Sequence, residues 1–143
     1  DRLIEIVDRF ASFGLDLQVT EFDIRMTDRE LQADYMRDFM TAMFSHPSIK
    51  GIVMWGFWEG RHWIPEAALY DKDWNLRPHG AVWRDLVLNQ WRTNLDAVTD
   101  SRGELSTRVF YGEYEITASD GSHTKTIRAK LTEPTNQVNL ILE

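Results

Sequence analysis

Residues 49–58 constrain the fold most. Ile52, Val53, Met54, Trp55, Phe57 and Trp58 follow one another with only a glycine between them. Such a strand is apolar on both faces, which suits a parallel sheet covered on both sides. Helices supply the cover. Leu3, Ile4, Ile6, Val7, Phe10 and Phe13 recur at helical spacing; so do Leu31, Tyr35, Phe39, Ala42 and Met43, and then Val82, Trp83, Leu86, Val87 and Trp91. A second apolar strand, residues 15–24, follows the first helix after Gly14, which suits a helix end. Thr27 and Glu30 have the form of a capping box for the second helix, which should stop before Pro47. Pro78 suits the first turn of the third. The order α-β-α-β-α with short connections demands parallel strands joined by crossovers.

From Asn94 onward the apolar spacing becomes two. Leu105, Thr107 and Val109 alternate, then Tyr114, Ile116 and Ala118, then Ile127, Ala129 and Leu131, then Val138, Leu140 and Leu142. Gly112, Asp120-Gly121-Ser122 and Pro134-Thr135-Asn136 break the runs. This predicts about four antiparallel strands. The expected domains are residues 1–94, α/β, and residues 95–143, a small antiparallel sheet too slight to bury both of its own faces.

The 143 residues carry a net charge of -7, which excludes the basic face a nucleic-acid partner needs. No run of Lys or Arg fits an anionic membrane surface, and no apolar stretch has the roughly 20 residues of a spanning helix. There is no cysteine, hence no disulfide. The chain starts abruptly within an amphipathic segment, as a cut chain would. His46, His62, His79 and His123 are scattered without metal-ligand spacing, so neither a metal nor a cofactor is expected. Asp71 to Asn75 opens like a calcium loop, but Leu76 and Val82 occupy the positions where glycine and glutamate belong.

Both strands end in polar chemistry at their carboxyl ends, where α/β barrels carry their active sites. Thr20-Glu21-Phe22-Asp23 sets two carboxylates two residues apart, on one side of a strand. Like charges that close must be solvated, paired or shifted in pKa; a solvated strand end with a capping Asp competes evenly with a catalytic pair. Trp55, Trp58, Glu59, Arg61, His62 and Trp63 lie on or after the next strand. Indole faces beside carboxylates suit a sugar: the rings stack on pyranoses, and carboxylates bind hydroxyls or attack the anomeric carbon. Trp83 and Trp91 fit core positions.

At Val19-Thr-Glu-Phe-Asp-Ile24 and at Met54-Trp-Gly-Phe-Trp-Glu-Gly-Arg-His-Trp63, the sequence resembles glycoside hydrolase family 10, the endo-β-1,4-xylanases. The resemblance implies the C-terminal portion of a (β/α)8 TIM barrel, its last two strands and helices, followed by a small antiparallel β appendage. It implies Glu21 as the nucleophile of a retaining hydrolase and Asp23 as the residue that tunes it. Trp55 and Trp63 become substrate-binding residues, with Glu59, Arg61 and His62 beside them. Most members carry Asp where this chain has Glu59. The acid/base Glu, and the His that touches the nucleophile, belong to strands 4 and 6, so the resemblance implies half a site and a chain inactive alone. Glu59 is the only nearby substitute for the acid, and the family gives no support for that role. The implied partner is xylan or a xylo-oligosaccharide, and the implied location is secreted or periplasmic. Two barrel strands alone leave open edges, which self-association or the appendage would cover. The rival reading is a non-catalytic carbohydrate-binding or interaction module on residues 95–143, with Tyr111, Tyr114 and His123 as an aromatic patch. The position of the tryptophans discriminates: near Glu21 they favour a hydrolase, on the outer sheet a binding module.

Overall fold

The structure, a computed structural model, describes residues 2–142. The chain divides into two compact units, the first ending at Gln90 and the second beginning at Trp91, so the division precedes residue 94.

In the first unit, α1 (Arg2–Ala11) leads to β1 (Leu17–Phe22), α2 (Arg29–Ser45) and β2 (Ile49–Met54). A 3-10 turn (Pro65–Ala67), α3 (Pro78–Asp85) and a π-helical turn (Leu86–Gln90) complete it. The expected α-β-α-β-α order is present, and β1 and β2 pair in parallel across the α2 crossover. β2 stops at Met54, short of the expected Trp58, and Gly56 takes φ +131° two residues later.

The cap of α2 is Asp28, not Thr27. Its Oδ1 accepts the N–H groups of Glu30 and Leu31, both at 3.0 Å. The buried face of α2 also differs from the expected stripe. Gln32, Ala33, Met36, Met40 and Met43 are buried, whereas Leu31 and Tyr35 are 55% and 45% exposed. A polar anchor sets this rotation. Gln32 Nε2 donates to the Ile24 carbonyl at 2.8 Å and to the Glu66 carbonyl at 3.0 Å, while its Oε1 accepts Arg29 Nη1 at 2.8 Å. A buried carboxamide left without partners costs about 1–3 kcal/mol, comparable to what burying one leucine gains. Phe39 still reaches the strand and stacks on Phe22 at 4.0 Å. Ala67, Ala68, Leu69 and Leu86 close this core. α1 buries only Val7 of its expected apolar face, and Val53 of β2 is exposed: a two-stranded sheet is too narrow to cover either.

In the second unit, β3 (Gly112–Ser119) and β4 (Thr124–Leu131) form an antiparallel hairpin in register from Gly112 opposite Leu131 to Ser119 opposite Thr124. One face pairs Glu113 with Lys130, Glu115 with Arg128 and Thr117 with Thr126. The other carries half-buried Tyr114, Ile116, Ala118, Ile127, Ala129 and Leu131. Asp120 Oδ1 makes the turn by accepting the Ser122 and His123 N–H groups at 2.8 and 2.7 Å. The expected strands around Leu105 and Leu140 do not form: neither joins a ladder among the described residues. Period-two spacing equally describes extended chain held by other bonds, as where Lys125 Nζ donates to the Ile141 carbonyl at 2.9 Å.

Candidate active site

The site begins at a fault in the β1–β2 ladder. From Val19 to Phe22 β1 uses three residue steps where β2, from Ile52 to Met54, uses two. The extra residue falls at Thr20–Glu21, and both side chains face solvent. Bulges re-aim side chains and end pairing, and they gather beside active sites. Here the fault delivers Glu21 to the surface at the carboxyl end of the sheet. Trp55 N–H still donates to the Phe22 carbonyl at 3.3 Å, so the two strand ends stay joined while the Trp55 indole remains half exposed.

Asp23, just past β1, meets the loop that follows β2. Trp63 Nε1 donates to Asp23 Oδ2 at 2.6 Å. His62 Nε2 lies 3.1 Å from Asp23 Oδ1, with side-chain exposures of 0% and 13%. That separation is within ion-pair reach, but the angles are poor for a hydrogen bond, and both atoms are shut away from water. His62 Nδ1 accepts the Ile64 N–H at 3.0 Å. Gly56 makes room for the ring: a Cβ there would stand 2.8 Å from His62 Cδ2.

The expected sugar contacts therefore divide. Trp55, Arg61 and Trp63 are exposed and available to a ligand. His62 is not: its side chain is buried against Asp23, which corrects both its expected place among the substrate-binding residues and the alternative of a solvated loop histidine. Glu59 is also engaged: its Oε2 accepts Arg77 Nη2 at 2.7 Å and the Lys72 N–H at 3.1 Å, which ties this oxygen to the loop's own residues. Arg77 Nη1 continues to the Pro65 and Ala68 carbonyls at 2.6 and 3.2 Å. Sequence reasoning missed Arg77, which no motif or spacing singles out among the chain's 16 Lys and Arg residues. It missed Trp74 too, which takes φ +65° and stacks on Trp58 at 5.4 Å.

Below the loop, His79 is fully buried, with Nε2 3.2 Å from the Ala67 carbonyl. Burial, aided by the nearby Arg29 and Arg77 charges, pushes this imidazole below its ordinary range despite that carbonyl. Among the described residues, no three His, Asp or Glu side chains lie together as a metal would need.

The family model for glycosyl hydrolase family 10 matches residues 1–85, a stretch that holds every residue of this site. The chain belongs to glycosyl hydrolase family 10. Among its family-10 relatives, "Endo-1,4-beta-xylanase 2" of Arabidopsis thaliana is 24% identical over 110 residues, 77% of this chain and 10% of the relative. The native xylanase 10B of Thermotoga maritima superposes with a TM-score of 0.52 at 26% identity, over 59% of this chain and 30% of that one. A second kind of relative is an anti-sigma-I factor of Acetivibrio thermocellus, 37% identical over 115 residues, 80% of this chain and 15% of that protein. The chain thus spans a small part of each. An alignment of 115 residues cannot fit within the 85 of the family match, so similarity runs on into the second unit.

Proposed function

We propose that this chain carries the nucleophile half of a retaining endo-1,4-β-xylanase site, on the last two strands of a family-10 barrel with the β-hairpin unit as an appendage. The observation that carries the reading is the Asp23–Trp63 bond, which joins the carboxylate end of β1 to the tryptophan loop after β2. Glu21 attacks the anomeric carbon, the bond to the leaving oxygen breaks, and a covalent glycosyl-enzyme forms; water later releases the sugar. Trp55 and Trp63 offer ring faces to xylose units, with Arg61 beside them. Glu59 Oε2 is paired with Arg77, which supports leaving the acid that protonates the leaving oxygen to a residue outside this pair of strands. A polymeric substrate places such an enzyme outside the cell or in the periplasm.

A non-catalytic binding or interaction module on residues 95–143 is the second reading; an anti-sigma-I factor, 37% identical, is a relative whose name carries no hydrolase. The hairpin is a poor candidate for that role. It holds no tryptophan, and Tyr114 Oη is engaged with the Phe110 carbonyl at 2.9 Å.

A 2-deoxy-2-fluoro-β-xylobioside of dinitrophenol separates the readings, because dinitrophenolate departs without an acid. The hydrolase reading expects one fluoroxylobiosyl group on the peptide holding Glu21, absent in Glu21→Gln. No label on the parent chain, or a label that persists in Glu21→Gln, refutes the nucleophile. An unlabelled chain that still binds xylan is the binding module.

A further inference from the structure

Asp23 is held at Oδ2 and faced at Oδ1 by residues of one loop, and the loop fixes the state of its own histidine. His62 Nδ1 accepts the Ile64 N–H, so that nitrogen is bare. In the neutral ring the proton then sits on Nε2, the nitrogen 3.1 Å from Asp23 Oδ1. Both atoms are closed to water, so each finds its polar neighbour in the other. On the far oxygen Trp63 Nε1 donates at 2.6 Å. Gly56, at φ +131° with no space for a Cβ beside the ring, keeps His62 in this pose.

We propose that His62 is a positioning residue. With Trp63 it fixes the direction of the Asp23 carboxylate, and through Asp23 it fixes the charge that stands two residues from Glu21. A second carboxylate free to swing beside a nucleophile perturbs it by a varying amount. One pinned between two donors presents a constant, partly neutralised charge. Only the last link, from Asp23 to Glu21, rests on the hydrolase reading above.

The test is nitrogen and proton NMR on the full chain with two substitutions. In the unmodified protein His62 should be the Nε2–H tautomer with bare Nδ1; an Nδ1–H ring overturns the proposal, and this arm needs no variant to fold. His62→Gln sets an amide donor where the imidazole Nε2 stands and should leave the Trp63 indole N–H signal in place. His62→Phe fills the space without a donor and should shift that signal and speed its exchange. A Trp63 signal indifferent to both substitutions overturns the positioning of Asp23. With the fluoroxylobioside, labelling of Glu21 should slow at least about tenfold in His62→Phe and recover in His62→Gln. Equal rates overturn the last link alone. A parent chain that takes no label removes the hydrolase reading, and the last link with it, while the tautomer and the Trp63 signal still judge the first part.

Discussion

Gly56→Ala tests the packing under the site quantitatively. Two costs fall on this substitution. The backbone sits at φ +131°, and an L side chain there costs about 1–3 kcal/mol. The new Cβ would also stand 2.8 Å from His62 Cδ2 and 3.3 Å from Nε2. The ring cannot slide freely, because Nδ1 holds the Ile64 N–H and Nε2 faces Asp23. Overpacking of this kind adds about 1–3 kcal/mol. Gly14 in the same unit supplies the control: its φ is +71° and a Cβ would meet nothing within 4 Å. Gly14→Ala therefore carries only a backbone cost of about 1–2 kcal/mol. The entropy that alanine removes from the unfolded chain is common to both and cancels. The expected totals are about 2–6 kcal/mol for Gly56→Ala and about 1–2 for Gly14→Ala. Urea unfolding followed by tryptophan fluorescence reads the difference; with a slope of about 1–3 kcal/mol/M the midpoints should separate by roughly 1 M. If Gly56→Ala proves no costlier than Gly14→Ala, the contact with His62 does not exist in solution and the pinned Asp23 goes with it.

Asp28→Ala should cost about 1 kcal/mol by removing the cap of α2, and Thr27→Ala should cost less than half as much, read in the same unfolding assay. Glu59→Gln keeps an acceptor but loses the charge facing Arg77, and should lower stability by about 1–2 kcal/mol while leaving Glu21 labelling in place. His79 gives a pH dependence of known sign. Its folded-state pKa lies below the unfolded value, so the unfolded chain takes the proton first. Stability is fully present above about pH 6.5 and falls as the pH drops through that value toward the folded pKa. His79→Gln retains a donor for the Ala67 carbonyl and should flatten this part of the profile; midpoints at about pH 7.5 and 5.5, compared between the two proteins, check it.

The elements that bury apolar area at regular spacing were legible in the sequence. The helix stops around Gly14 and Pro47 and the parallel pair of strands all follow from period and punctuation. What escaped was set by polar atoms. The α2 stripe pointed to Leu31 and Tyr35, yet Gln32 turned the helix because two backbone carbonyls needed its amide. At the candidate site, the exposed places of Glu21 and Trp55 at or just past the carboxyl ends of the strands were readable from the strand pattern. The engagement of His62 and Glu59 was not, since each depends on a partner distant in sequence, Asp23 and Arg77. The hairpin was overcounted because alternation marks extended chain, and only the ladder bonds make it a sheet.

The loop after β2 closes on itself. Tyr70 N–H donates to the Phe57 carbonyl at 2.8 Å, and Glu59 N–H donates to the Tyr70 carbonyl at 3.0 Å, so its two arms are stitched at the base. The twelve positions so enclosed, 58–69, behave as a cassette closed at its base by its own seam. Arg61, exposed in this cassette, can therefore be replaced without disturbing the seat of Asp23.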